Sequence, residues 1–481
     1  MSKENHKVLH ISTECFPAAK AGGMADVVGA LPMYQGKYGW KASVITPQYV
    51  LPWYEQQSFR KQSSGTVVLE GKSYDYTIKK AAKDTLPYPY YCVDIPGLFD
   101  RPSIYLNEHG YGYEDEAERN VAFQRAVLQW LVEGKSKFEV LHCHDHQVGF
   151  IPFLIQKSPQ FEALSAVPTV YTIHNGAYNS RYTWNRRDLL PEFDSTNSQY
   201  IDWDGQMDAV ATAMRFAHHI TAVSPTYLEE LQRMLPPLQF MSRHEPGKFS
   251  GILNGIDASV WDPKTDPMVD HHLSKSWDQF KKLNKSEILS HLYHLEGIPL
   301  ISFIGRFAHQ KGADLLVPAA ERILSRFGFV NFFILGSGDP YIERTVEELR
   351  AKFSERVATY IGYNEEMAHK VYAASDFIVM PSRFEPCGLN QMYGMRYGAL
   401  PIARKTGGLK DTVVDHGDGG AGISFDYDSV EDLSNALSRA LYLYRDTKEF
   451  RKVRSRAVRQ DYSWSTSASS YADIYKQLIN V

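Results

Sequence analysis

The sequence predicts an α/β protein built from two Rossmann-like, doubly wound domains. Three observations carry this: the chain length, two successive series of short apolar runs, and the polar or glycine-rich turns that close each run. At 481 residues the chain exceeds what a single hydrophobic core ordinarily organises. Its hydrophobic content of 43% with 22% charged residues is that of a globular protein. A net charge of −4 gives no reason to expect nucleic acid or an anionic membrane as partner.

The first series opens with HKVLHIST, passes through the loop ECFPAAKAGG, and enters MADVVGALP, a helical pattern with Val27, Val28 and Leu31 on one face. KASVITP, FEVLHCH, PTVYTIHN and HHITAVSP continue it. After GILNGIDASVWDPKTDP the theme restarts with PLISFIGR, VNFFILGSGD, ATYIGY, FIVMPS and LPIARKTGG. Strands alternating with helices imply parallel sheets. The switch falls at Asn254, giving domains 1–253 and 254–463, with a terminal helical pattern at 464–481 expected to join the first. Parallel sheets gather ligands beyond the carboxyl ends of their strands. Two such domains facing one another predict a deep cleft, so the polar residues ending each strand are the candidates.

The four cysteines, Cys15, Cys92, Cys143 and Cys387, are scattered without a CxxC pair, as expected for reduced thiols in the cytoplasm. The first residues carry no apolar signal region, and no stretch reaches the roughly 18 apolar residues of a membrane span.

KAGGMADV lacks the GxGxxG spacing of a dinucleotide fingerprint, which removes an NAD reading. The pair Gly22 and Gly23 at a helix start still lets backbone amides approach a phosphate, with Lys20 adding charge. An ordinary tight turn beside a solvated lysine is the alternative. In IGRFAHQKG, Arg306 ends a strand and Lys311 follows five residues later. Two such cations can stabilise a departing diphosphate without a metal; a solvated surface pair is the simpler reading. KTGGLKD repeats the glycine pair at Gly407 and Gly408. Glu385, after the apolar run DFIVM, can accept hydrogen bonds from sugar hydroxyls or merely satisfy a helix dipole. His174 and Asn175 end YTIHN, and a lone histidine weighs little by itself. What lifts these residues is conjunction: each ends a predicted strand, in both halves. The inventory suits a diphosphate-sugar donor better than a hydrolase.

The segment HCHDH poses a separate question. Period-two alternation turns His142, His144 and His146 to one side if the strand persists that far, as a zinc site requires. No second Cys/His cluster stands elsewhere in the sequence to complete it.

Taken together, KAGGMADVVGALP, HCHDH, TIHN, TAVSPTY, LNGID, GRFAHQKG, PSRFEPCGLNQMYGMRYG and TGGLKDTV resemble the bacterial glycogen and starch synthases nearly end to end. These are retaining glycosyltransferases of the two-Rossmann-domain (GT-B) type. The resemblance implies transfer of glucose from ADP-glucose to the 4-hydroxyl at the non-reducing end of an α-1,4-glucan. It implies no metal or pyridoxal phosphate cofactor, and it leaves the oligomeric state open. It puts His174 beside the reacting sugar, Arg306 and Lys311 on the departing diphosphate, and Glu385 on the glucosyl hydroxyls. Lys20, Gly22, Gly23, Asp26, Asn254, Tyr363, Cys387, Gly388, Leu389, Thr406, Gly407 and Gly408 fall on the donor side, and Asp145 and His146 on the acceptor side. HCHDH then needs no metal, Asp145 being its main polar contributor.

Several positions depart from the family pattern: Ala211 replaces a lysine, His146 a tryptophan, Asn364 an aspartate and Asn390 a threonine. Arg215, one helical turn after Ala211, is a candidate replacement charge. Related families carry a second glutamate where Tyr393 stands; the bacterial glycogen synthases also lack it. Competing expectations are a retaining transferase using UDP-glucose or a small sugar acceptor, and a catalytically silent glucan-binding homologue.

Overall fold

The structure, a computed structural model, describes residues 6–134, 137–290 and 297–480. The chain divides into two compact units. The first comprises Met1–Val223, Leu228–Ile252 and Trp464–Val481, and the second Ser224–Tyr227 and Leu253–Ser463.

In the first unit, β1 (His6–Ile11), β2 (Trp40–Pro47), β3 (Phe59–Leu69), β4 (Lys72–Ala81), β5 (Tyr90–Asp94), β6 (Val140–His144), β7 (Thr169–Ile173), β11 (His219–Ala222) and β12 (Phe249–Gly251) form one sheet, ordered β12-β11-β7-β6-β1-β2-β5-β4-β3. The series from β12 to β5 is parallel, whereas β4 pairs antiparallel with both β5 and β3. The expected parallel sheet is therefore extended by a hairpin. Its signal is local: TVVLEGKSYDYTI alternates with period two around Glu70 and Gly71, both at positive φ as a two-residue hairpin turn requires. A small second sheet joins β8 (Arg181–Thr183), β10 (Gln206–Asp208) and β9 (Asp202–Trp203).

The central strands are buried on both faces, as those of a covered parallel sheet are; every residue of β6 and β7 is buried, including their histidines and threonines. The helix Gly23–Gln35 buries Val27, Val28 and Leu31 as its pattern predicts. Against it packs the terminal helix Trp464–Ile479, whose Trp464, Ala468, Tyr471 and Tyr475 share a core with Val8, Leu31 and Trp40.

The second unit holds a six-stranded parallel sheet in the order β15-β14-β13-β16-β17-β18. Its strands are β13 (Leu300–Ile304), β14 (Asn331–Gly336), β15 (Val357–Ile361), β16 (Phe377–Met380), β17 (Leu400–Arg404) and β18 (Ile423–Phe425). The first five match the apolar runs; β18 is only three residues long, too short to announce itself. Leu316, Ile323, Ile334, Val379, Leu437 and Val453 lie in its core. No helix among the described residues is long and apolar enough to cross a membrane. All four cysteines are buried free thiols.

Candidate active site

In the second unit the strand-end residues converge on Glu385. After β16 the chain turns through Pro381, and the turn His309–Lys311 packs against it. Gly312 permits that approach: its φ is +66°, and a Cβ there would stand 2.0 Å from the Pro381 carbonyl oxygen. The ammonium of Lys311 consequently reaches both carboxylate oxygens of Glu385, at 2.8 and 2.6 Å. Ser382 Oγ donates to Glu385 Oε2 at 2.9 Å. These bonds occupy three of the carboxylate's roughly four acceptor sites, leaving one for an incoming hydroxyl.

The loop itself is braced by cations. Arg404 donates to the Ser382 and Arg383 carbonyls, and Arg383 forms a bidentate pair with Asp314 at 2.7 and 2.8 Å. Arg306, two residues past β13, is exposed, and its guanidinium donates to Gln310 Oε1 at 3.2 Å. Gln310 in turn donates to the Phe384 carbonyl. Arg306 thus stands one residue removed from the Glu385 loop.

The two glycine pairs have different physical reasons. Cβ atoms at Gly407 and Gly408 would stand 2.0 Å from the Glu385 carbonyl oxygen and 2.4 Å from that of Cys387. The Gly408 N–H already donates to the Glu385 and Pro386 carbonyls. Gly407 and Gly408 are therefore demanded by the loop they brace, with Thr406 buried at the N-cap. A Cβ at Gly22 or Gly23, by contrast, would meet nothing within 4 Å, and neither has a positive φ. The fold has no use for glycine there, and both residues are exposed.

The remaining donor-side candidates scatter. Cys387 is buried and its thiol is pushed up to about 12 by desolvation, so it is no thiolate. Gly388 takes a φ of +73° beside Glu385 Cγ, and Leu389 caps the helix Asn390–Arg396. Asn254 is buried, and its Oδ1 has no hydrogen-bond partner among the described residues. Tyr363 is 77% exposed beyond β15. Asn390 donates to the Ile304 carbonyl, and Asn364 caps its helix through Met367 N. Tyr393 stacks on Trp261 with centroids 3.8 Å apart, so no carboxylate occupies the second-glutamate position.

In the first unit, Asp145 ends β6 in an unusual conformation, φ 64° and ψ 178°, a region almost reserved for glycine. Holding it costs about 1–3 kcal/mol, and the surroundings impose it. Its N–H donates to the Thr172 carbonyl, and its Oδ1 accepts from the amides of His174 and Asn175 at 3.0 and 3.4 Å. Burial pushes the Asp145 carboxyl up to about 7, against those two amides. The same reversal ends the strand, so the expected alignment of three histidines fails. His146 turns aside to put Nδ1 2.7 Å from Ser180 Oγ, while His10 from β1 joins His142 and His144.

Sequence reasoning missed Glu14. Its buried carboxylate accepts from the amides of Ala21 and Gly22 at 2.6 and 2.8 Å and from Tyr105 Oη at 2.7 Å. It therefore shapes the KAGG loop and takes the Gly22 amide away from any ligand. Burial raises its carboxyl, opposed by these donors. The available signal was an acidic residue amid the apolar and small residues of STECFPAA. Lys20 is exposed and paired with Asp26 at 2.8 Å. Arg215 lies over the Tyr200 ring.

The starch synthase catalytic domain family matches residues 7–237, and glycosyl transferases group 1 matches residues 298–442. A glycogen synthase of Flavobacterium johnsoniae is 41% identical over 475 residues, 98% of this chain and 99% of its own. The chain belongs to the glycogen synthase family. A glycogen synthase of Anoxybacillus flavithermus is 34% identical and matches 98% of both chains. Among solved structures, the catalytic domain of starch synthase IV from Arabidopsis thaliana, bound to ADP and acarbose, superposes with a TM-score of 0.88. It is 30% identical, over 99% of this chain and 100% of that one. A sucrose-phosphate synthase from Thermosynechococcus elongatus, 19% identical with a TM-score of 0.62, shares the fold. As a glycogen synthase family member the chain is a glycosyltransferase of the GT-B class.

Proposed function

We propose that the protein transfers glucose from ADP-glucose to the non-reducing 4-hydroxyl of an α-1,4-glucan with retention of configuration. The observation that carries this is the Lys311–Glu385 couple with Arg306 beside its loop. It supplies cations for a departing diphosphate and a carboxylate with one acceptor site free for a sugar hydroxyl. The Arabidopsis relative bound to ADP and acarbose supports the same substrate classes.

The mechanism is dissociative. As the bond to ADP lengthens, Arg306 and Lys311 stabilise the charge growing on the diphosphate, so no metal or pyridoxal phosphate is required. An oxocarbenium-like sugar forms, Glu385 holding its hydroxyls. The acceptor hydroxyl attacks the face that ADP vacates, passing its proton to the leaving phosphate. With Tyr393 in place of a second glutamate, no carboxylate nucleophile is called on. In the first unit, His174 and Asp145 serve the reacting sugar and acceptor, and Lys20, Gly22 and Gly23 the donor. The open space at both glycines and the unpartnered Oδ1 of Asn254 support ligand approach. Four buried free thiols support a cytoplasmic location.

The test is a donor and acceptor panel with linkage analysis of the product. ADP release with α-1,4 extension of glycogen is expected; efficient use of UDP-glucose with a small acceptor and no glucan extension would overturn the reading. Arg306→Ala is expected to lower kcat by about 10²–10³-fold while the protein stays folded, because Arg306 is exposed with a single side-chain hydrogen bond among the described residues.

A further inference from the structure

Four buried histidines of the first unit, His10, His142, His144 and His174, belong to one unbroken run of hydrogen bonds centred on Gln35; the buried His219 stands apart, bonded to Ser250. On one side, Gln35 Oε1 stands 2.9 Å from His10 Nε2, His10 Nδ1 2.9 Å from His144 Nε2, and His144 Nδ1 3.0 Å from His174 Nε2. On the other, Gln35 Nε2 donates to Tyr475 Oη at 3.1 Å, and Tyr475 Oη lies 2.6 Å from His142 Nδ1. His142 Nε2 is 2.6 Å from Thr172 Oγ1, which is 2.6 Å from Thr221 Oγ1. All of these side chains are sealed from solvent except His174, which keeps 7% exposure.

A neutral imidazole has one N–H and one lone pair, so each ring dictates the next. The Gln35 carbonyl can only accept, so His10 carries its proton on Nε2 and offers Nδ1 as a lone pair. His144 must then donate from Nε2, and His174 from Nε2 in turn. On the other arm the Gln35 amide donates to Tyr475, Tyr475 donates to His142 Nδ1, and His142 donates from Nε2 to Thr172. All four rings are therefore Nε2–H tautomers. Burial supports their neutrality, lowering His10 to about 4 and His174 to about 3 and holding His142 and His144 well below the usual imidazole range.

We propose that Gln35, His10 and His144 are positioning residues that lock His174 in its Nε2–H tautomer and present its Nδ1 to substrate as a hydrogen-bond acceptor. The remaining nitrogen, Nδ1, has no hydrogen-bond partner among the described residues and so is available to a hydroxyl. The proposal rests on the reading of His174 as the histidine beside the reacting sugar. It also gives HCHDH its role. Ring nitrogens of His10, His142 and His144 come within 4.8 Å of one another, close enough for a metal. Yet all six are already committed to the bonds above.

The experiment is imidazole ¹⁵N–¹H correlation on the full-length protein labelled at histidine, with resonances assigned by single substitutions. Neutral Nε2–H forms at His10, His142, His144 and His174 are expected. An Nδ1–H form or an imidazolium at His10, His144 or His174, or stoichiometric zinc in the purified protein, overturns the proposal. Gln35→Met keeps the volume and removes the acceptor. It should release His174 into mixed tautomers and lower kcat/KM by about 10- to 100-fold. A His174 spectrum unchanged by Gln35→Met overturns the proposal, because a packing role is met by methionine equally well. If the variant does not fold, the spectrum of the unaltered protein still decides. Unchanged turnover in His174→Ala would remove His174 from the reaction and the proposal with it, whereas the tautomer pattern reports on the hydrogen-bond run alone.

Discussion

Gly408→Ala adds one methyl group to the second unit, and the structure fixes where it must go. The new Cβ would lie 2.4 Å from the Cys387 carbonyl oxygen, 2.5 Å from its Cα and 2.8 Å from its carbonyl carbon. Ordinary contact begins near 3.4 Å, so the shortfall is about 1 Å, and all three obstacles are backbone atoms that no rotamer change removes. Either the helix Gly407–Thr412 or the 385–387 segment must retreat by that distance. The second course carries Glu385 with it, because the Gly408 N–H is bonded to the Glu385 carbonyl. Overpacking of this kind costs about 1–3 kcal/mol, a Tm loss of several degrees for a unit of this size. A displacement of about 1 Å in a catalytic group costs on the order of 10²-fold in rate. Steady-state turnover of ADP-glucose with glycogen, beside a thermal melt, is the assay. A folded Gly408→Ala protein with unaltered Tm and unaltered kcat would refute the bracing argument, and unaltered kcat with a lowered Tm would show that the helix yields rather than the Glu385 segment.

Three further outcomes follow from the same reasoning. Gly22→Ala and Gly23→Ala should leave Tm unchanged, since nothing lies within 4 Å of either new Cβ, and should raise the KM for ADP-glucose; an unchanged KM would mean that no ligand approaches that loop. Asp145→Asn should deepen the loss of Tm between pH 7 and pH 5. The folded pKa of Asp145 is raised to about 7, so its contribution is fully present near pH 4 and fades as pH climbs to 7. The buried histidines act oppositely, their contribution holding above the ordinary imidazole pKa and fading as pH falls toward about 4. Removing Asp145 leaves the acid loss unopposed, and a shallower profile in the variant would contradict this. His146→Ala, which loses the bond to Ser180, should raise the glucan KM by about two- to tenfold with the ADP-glucose KM unchanged; the reverse pattern would move His146 to the donor.

The parallel core was legible because its buried strands are dominated by apolar runs, as in Phe332–Leu335 of β14 and the whole of β16. The hairpin of β3 and β4 lies outside the expected parallel sheet, although its alternation and its Glu70–Gly71 turn are visible in the sequence. Half-exposed strands carry a weaker hydrophobic signal than buried ones. At the site, sequence could nominate Arg306, Lys311 and Glu385 as strand-end residues, but the direct contact of Lys311 with Glu385 depends on how Gly312 seats against Pro381. The two glycine pairs are identical in sequence, and only packing separates them. His142 and His144 could be placed on one face by alternation. Their partner His10 comes from a neighbouring strand in the sheet, and the break at His146 follows from one backbone angle at Asp145. Neither is a local property of the sequence.

The helix Trp464–Ile479 has a consequence for synthesis. Chains leave the ribosome from the N-terminus, and domains made first usually fold first. Here Tyr475, which bonds both Gln35 and His142, and Trp464, which fills the core beside Val8, are translated after the entire second unit. The first unit waits with an uncovered apolar face until then, and the second can finish ahead of it. The order of completion along the nascent chain is thereby inverted.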